Sequence, residues 1–231
     1  MRIKGKVRRF RKVVRSLLGT DVRVRPTLAV PTMTLGNAHA EWTFCPTGLD
    51  ESSVVYSVGI GEDVSFDTAL IERFGVAVYA FDPTPRSLAW LERQTLPDKL
   101  HVVPVGLAGQ DGTISVHAPL NPDHVSHSVF ATGGGDRVEV PVKRLVTLME
   151  ELGHTRVDLL KMDIEGAEYD VIEDLADSKV EVAQLLVEFH HFMDSVPVDL
   201  TKRALATLQA LGFELIAVSE GGYEYSFLRR K

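Results

Sequence analysis

Apolar and polar residues follow one another along this chain in two rhythms, and the switches between the rhythms mark out its elements. Ser53–Val58 is a short apolar run rich in β-branched residues, which predicts a strand buried on both faces. Asp63–Phe74 follows with helical spacing through Val64, Thr68, Leu70, Ile71 and Phe74. Val76–Phe81 predicts a second strand, Pro85–Gln94 a second helix and Leu100–Val105 a third strand. The rhythm breaks between Gly112 and Lys143, where two short strands, Thr113–Ala118 and Val138–Lys143, flank a loop carrying Asn121-Pro122 and Gly133-Gly134-Gly135. An insertion of this kind beside a sheet usually shapes a binding site. Alternation resumes with helix Arg144–Leu152, strand Val157–Met162, helix Ala167–Leu175, strand Val182–Phe189 and helix Leu200–Leu211. Phe213–Val218 and Tyr223–Leu228, joined through Gly221-Gly222, predict a terminal antiparallel pair. The alternation implies right-handed βαβ crossovers, and therefore a doubly wound α/β domain on a mostly parallel sheet.

Upstream of this domain the pattern differs. Ile3, Val7, Phe10, Val14, Leu17 and Leu18 recur near helical spacing among Lys6, Arg8, Arg9, Arg11, Lys12 and Arg15. Residues 1–25 hold ten basic residues and one acid, Asp21, a net +9. The main expectation for this arm is a helix packed on the domain or on a partner. A basic amphipathic helix at an anionic membrane surface, through residues 1–18, is the alternative. Gly19, Pro26, Pro31, Gly36, Pro46 and Gly48 then predict an irregular stretch leading into the domain, residues 26–231.

The whole chain carries −7, so residues 26–231 carry −16, and by composition the body is not a nucleic-acid-binding surface. Its 231 residues suit one domain. The single cysteine, Cys45, forms no internal disulfide. No apolar run reaches the roughly 20 residues needed to span a bilayer. A cytoplasmic location is the default expectation, with the membrane surface as the alternative for the arm.

Two segments carry the candidate chemistry. The first is Val54-Val55-Tyr56-Ser57-Val58-Gly59-Ile60-Gly61-Glu62-Asp63, a strand passing through two glycines into a helix. Gly59 and Gly61 would let backbone approach a ligand at the carboxyl edge of the sheet. Asp82 closes the next strand, 21 residues after Gly61, where an acid can accept hydrogen bonds from a ribose. Nicotinamide dinucleotide sites share this geometry. However, Val64 stands where their third glycine would be, and Glu62 and Asp63 would repel a pyrophosphate while suiting an ammonium group.

The second segment is Leu159-Leu160-Lys161-Met162-Asp163-Ile164-Glu165-Gly166-Ala167-Glu168. Lys161, Asp163 and Glu165 alternate in what should be an apolar central strand, which makes sense only at a strand end opening to a crevice. The next strand ends with Glu188-Phe189-His190-His191, Glu188 and His190 sharing a face. If the two strands are neighbours, Lys161, Asp163, Glu188 and His190 converge. The convergence reads as a structural ion-pair network (Lys161 with Glu188), as ligands for a divalent metal, or as a general base with its helpers. The metal reading, with Asp163, Glu188 and His190 as ligands, lacks diagnostic spacing, so a divalent metal is conceivable but not predicted. His124 and His127 in the insertion, together with His191, are candidates for contact with the acceptor.

These residues resemble the FkbM-type methyltransferase family over roughly Ser53 to His191. Lys161-Met162-Asp163-Ile164-Glu165-Gly166-Ala167-Glu168 carries the likeness most strongly, with Glu188 and His190 and with Val138–Lys143 leading into Leu145-Val146-Thr147-Leu148. The resemblance implies a class I methyltransferase (Rossmann-like) fold, a mostly parallel seven-stranded sheet ending in an antiparallel hairpin. It also implies S-adenosylmethionine as donor and an oxygen acceptor on a small molecule or sugar. Gly59, Gly61 and Asp82 would hold the donor, with Glu62 or Asp63 on its ammonium. Asp163 or His190 would be the base, and Lys161 and Glu188 would orient the acceptor. The alternatives are a nicotinamide-dependent oxidoreductase and a non-catalytic cofactor-binding module on the same fold.

Overall fold

In a computed structural model, which describes residues 21–38, 40–117, 137–193 and 195–230, the stretch expected to be irregular contains a hairpin. Strands β1 (Met33–Leu35) and β2 (Trp42–Phe44) pair antiparallel, Met33 against Phe44. Three-residue strands show no readable period. What holds them is tertiary: Trp42 and Phe44 are buried among Val55, Leu159 and Leu186. Past the hairpin, the backbone N–H and C=O of Cys45 meet the side-chain amide of buried Gln184 at 3.0 and 2.8 Å.

The parallel core follows in the expected order. It comprises β3 (Val54–Val58), α1 (Ser65–Phe74), β4 (Ala77–Phe81), α2 (Pro85–Leu91) and β5 (Leu100–Val103). β5 stops one residue before Pro104, which has no N–H to give a ladder. The chain then leaves for a second, three-stranded sheet. This is built from β6 (Gly106–Leu107), β7 (Gly112–His117) and β8 (Arg137–Lys143) in the order β6-β8-β7. The basic arm through residue 20 and the insertion loop 118–136, with His124 and His127, lie outside the described residues. The chain rejoins the core through α3 (Leu145–Leu152), β9 (Arg156–Met162), α4 (Glu168–Ser178), β10 (Glu181–Glu188) and α5 (Val198–Ala210). The terminal hairpin is β11 (Phe213–Val218) and β12 (Glu224–Arg229).

The main sheet has seven strands in the order β11-β12-β10-β9-β3-β4-β5. The pairs β10–β9, β9–β3, β3–β4 and β4–β5 are parallel, and β12 alone runs against its neighbours. From β3 the chain winds one way to β5, and from β9 the other way to β10. The carboxyl ends of β3 and β9 therefore form the switch point, where a crevice opens. Side chains alternate across the sheet. Tyr56, Val58, Leu160 and Leu185 pack under α4 and α5, whereas Val55, Leu159 and Leu186 pack under α1 and the β1–β2 hairpin. Lys161 shares its face with Leu159, so it emerges beneath the hairpin, its Nζ 5.4 Å from the Trp42 ring centre.

Candidate active site

The crevice at the switch point has a volume of about 310 Å³ and is floored by the Gly59-Ile60-Gly61 turn. Gly59 and Gly61 both take positive φ, 74° and 59°. At Gly59 the demand comes from the protein itself rather than from a ligand. A Cβ there would overlap the Asp163 carbonyl oxygen and stand 2.7 Å from its carbon. The ends of β3 and β9 are thus drawn together by the absence of a side chain, and the Asp163 N–H donates to Val58 O at 3.1 Å.

Asp82, buried at the end of β4, sets the opposite wall. Its Oδ2 accepts the Gly61 N–H at 3.0 Å. Its Oδ1 accepts the N–H and hydroxyl of Thr84 at 2.9 and 2.6 Å, which leaves Oδ2 with a lone pair facing the crevice. Asp63 also lines the crevice, with Oδ1 on the Ser65 N–H at the start of α1 and Oδ2 on the Asn37 amide. Burial raises its carboxyl, but these bonds and the charge of Lys161 bring it below its ordinary value. Glu62 is placed differently from expectation. It turns from the crevice to a fork with Arg86 at 2.9 and 3.3 Å, and that guanidinium lowers its carboxyl.

β9 and β10 are neighbours, Lys161 opposite Leu186 and Met162 opposite Val187, so the acids and histidine do meet. A smaller hollow of about 80 Å³ lies on the Trp42 side and is lined by Lys161, Asp163, Glu188 and Glu224, among others. Asp163 borders both hollows. Lys161 makes no ion pair with Glu188 among the described residues. Instead its Nζ donates to the carbonyls of Gly59 and Val58 at 2.7 and 3.2 Å and fastens the glycine turn. Glu188 faces Glu224 across the ladder. Burial, followed by the charge of Asp163, pushes its carboxyl up to about 8, with His190 opposing.

His190 is only 1% exposed and sits among three carboxylates. Its Nδ1 lies 3.2 Å from Glu168 Oε1, and its Nε2 lies 3.5 Å from Asp163 Oδ1 and 3.4 Å from Glu165 Oε2. Burial would lower the imidazole, but the hydrogen bond and charge of Glu168, then Glu165 and Asp163, push it up to about 10. Both ring nitrogens are thus turned to carboxylates. Glu165 and Glu168 are the residues that sequence reasoning passed over as site members. Glu165 has a left-handed backbone, φ 51°, ahead of Gly166 at φ 109°, and this turn brings its carboxylate back to His190. Glu168 is completely buried, and its two oxygens hold the N–H groups of Gly166 and His190. Their signal lay in the same motif, as charges just past a strand end.

His191 does not line either hollow. It is buried, with Nε2 3.1 Å from Asp21 Oδ1 and Nδ1 3.0 Å from the Thr201 hydroxyl, which in turn meets Tyr169 OH at 3.0 Å. His191 opens the turn just past β10, where the Met193 N–H donates to His190 O at 2.9 Å, and there it anchors the end of the basic arm.

This strand order, with its single antiparallel strand and a crevice between β3 and β9, is the class I methyltransferase fold. The methyltransferase FkbM domain matches residues 53–215, and the chain belongs to that family. Methyltransferase-like protein 24 of Homo sapiens is 28% identical over 138 residues, 59% of this chain and 32% of that one. This chain therefore spans about a third of that relative's length. The 2-O-methyltransferase NoeI of Sinorhizobium fredii is 25% identical over 195 residues, covering 77% of this chain and 79% of NoeI. Among solved structures, Aeropyrum pernix fibrillarin aligns over 78% of this chain and 66% of its own, with 12% identity and a TM-score of 0.44. Among the described residues, no helix is long and apolar enough to cross a membrane.

Proposed function

We propose that this chain transfers a methyl group from S-adenosylmethionine to a hydroxyl oxygen on a small molecule or sugar. The observation that carries the reading is the crevice at the switch point, walled by Asp82 and Asp63 and ending at the carboxylate of Asp163. The residues suit the donor. Asp82 Oδ2 keeps a lone pair for a ribose hydroxyl, and Asp63 offers negative charge to an ammonium. Leu107, Ile114, Val116, Val140 and Val142 give an apolar wall for a purine. The volume falls at the lower end of the roughly 300–1,000 Å³ usual for ligand pockets. S-adenosylmethionine, when bound, supplies an already activated sulfonium methyl, so the protein's task is alignment and exclusion of water.

The small hollow beyond Asp163 is the place for the acceptor oxygen. Asp163, about a third exposed, accepts the hydroxyl proton as the new C–O bond forms and the S–C bond breaks, its electron pair staying on sulfur. Lys161, through the Gly59 and Val58 carbonyls, holds the floor on which the alignment depends. NoeI, a 2-O-methyltransferase aligned over 79% of its length, supports oxygen as the acceptor. The test is calorimetric titration with S-adenosylhomocysteine and, separately, NADH, followed by a mass-spectrometric screen of hydroxylated sugars. The expected outcome is binding of the first ligand alone and an acceptor gaining one methyl. Asp163→Asn should cut turnover by about 10²–10⁴-fold with donor affinity unchanged. Failure to bind S-adenosylhomocysteine, or a gain in mass at nitrogen, would overturn the proposal.

A further inference from the structure

We infer that Asp163, Glu165 and His190 form a binding site for one divalent transition-metal ion of the Mn²⁺ type. One donor atom from each residue lies within 4.8 Å of the other two. His190 Nε2 stands 3.5 Å from Asp163 Oδ1 and 3.4 Å from Glu165 Oε2, too long for good hydrogen bonds. Those are close to the spacings of neighbouring donors around one ion, about 2.9–3.4 Å when each ligand bond is about 2.0–2.2 Å. The other ring nitrogen is already committed. Nδ1 meets Glu168 Oε1, and Glu168 is fully buried and fixed by the N–H groups of Gly166 and His190. A carboxylate behind a histidine fixes its tautomer and turns Nε2 outward as a ligand.

Charge points the same way. Three carboxylates surround one imidazole, and Lys161 is spent on the Val58 and Gly59 carbonyls. A dication bound by two of those carboxylates neutralises both. Two carboxylates and an imidazole suit Mn²⁺ better than Mg²⁺, which favours all-oxygen shells. Asp163 and Glu165 border the larger crevice, so positions left open on the ion face it. The role of the site rests on the proposed methyl transfer. An ion held there would acidify an acceptor hydroxyl seated beside Asp163, where the two hollows meet; its proton would pass to the second oxygen of Asp163 as the C–O bond forms and the S–C bond breaks, the electron pair staying on sulfur.

The experiment titrates Mn²⁺ into full-length protein stripped with EDTA and freed of chelator, and follows free Mn²⁺ by electron paramagnetic resonance. S-adenosylhomocysteine affinity and circular dichroism are measured on the same samples. One Mn²⁺ per chain is expected, with Asp163→Asn, Glu165→Gln and Glu168→Gln each weaker by about 10–100-fold. Asp199→Asn, at an exposed ion pair with Lys202, should match the parent. If His190→Gln does not fold, the partly exposed Glu165→Gln reads the same site. No stoichiometric Mn²⁺, or equal Mn²⁺ affinity in Asp163→Asn and the parent, would overturn the inference. Loss of S-adenosylhomocysteine binding with Mn²⁺ binding intact would strike the donor reading and spare the metal site.

Discussion

Replacing Asp82 by Asn tests the donor site with little change of shape. In the parent, Oδ1 takes both Thr84 donors and Oδ2 takes the Gly61 N–H, leaving one acceptor position toward the crevice. The asparagine carbonyl can keep the Thr84 bonds. Its NH₂ then faces the Gly61 N–H and has no lone pair for a ribose hydroxyl. A hydrogen bond to a charged group is worth about 1.5–3 kcal/mol, so S-adenosylhomocysteine should bind about 10–150-fold more weakly. The two facing donors at Gly61 add about 1 kcal/mol of instability, a fall in Tm of about 2–4 °C for a domain of this size. Calorimetry measures the first effect and ligand-free thermal unfolding the second. An unchanged affinity beside the expected small fall in Tm would refute the assignment, because the acid would then be holding only its own turn.

Two further predictions concern stability, measured by denaturant or thermal unfolding. Gly59→Ala should cost more than about 4 kcal/mol, since the new Cβ collides with the Asp163 carbonyl. Gly48→Ala, at φ 87° with nothing within 4 Å, should cost only about 1–2 kcal/mol, and equal losses would refute the collision. Asp67 is buried in α1 with Oδ1 lacking a hydrogen bond, and burial pushes its carboxyl above the ordinary 3.8, against the charge of Lys161. An acid whose folded pKa is raised contributes stability that is complete below 3.8 and is lost as pH rises through the folded value. Asp67→Asn should therefore be more stable than the parent near pH 8, the gap closing as pH falls; a gap independent of pH would refute it.

The parallel core was legible because its strands are buried on both faces and its helices on one, so each leaves a period in the chain. The β1–β2 hairpin was not. Its strands are held by Trp42 and Phe44 against Leu159 and Leu186, residues more than a hundred positions away. β6 was hidden for a related reason: two residues after Pro104 change sheets, and only their pairing with β8 shows it. α2 stops at Leu91, short of the helical pattern that runs on to Gln94.

In the site, charges at the ends of two strands could be read directly, because a central parallel strand does not carry them idly. Their partners could not. Whether Lys161 meets Glu188 or the Gly59 carbonyl depends on which face it shares with Trp42. Whether Glu165 reaches His190 depends on one left-handed residue between a strand and a helix. The sequence by itself determined which elements form and where polar groups interrupt the core, since burial periodicity and strand-end chemistry are local. Tertiary structure alone decided that His190 is enclosed by three acids and that His191 serves as an anchor for Asp21. Distances between side chains on neighbouring strands are set by sheet order and register, and neither is written in any short stretch of the chain.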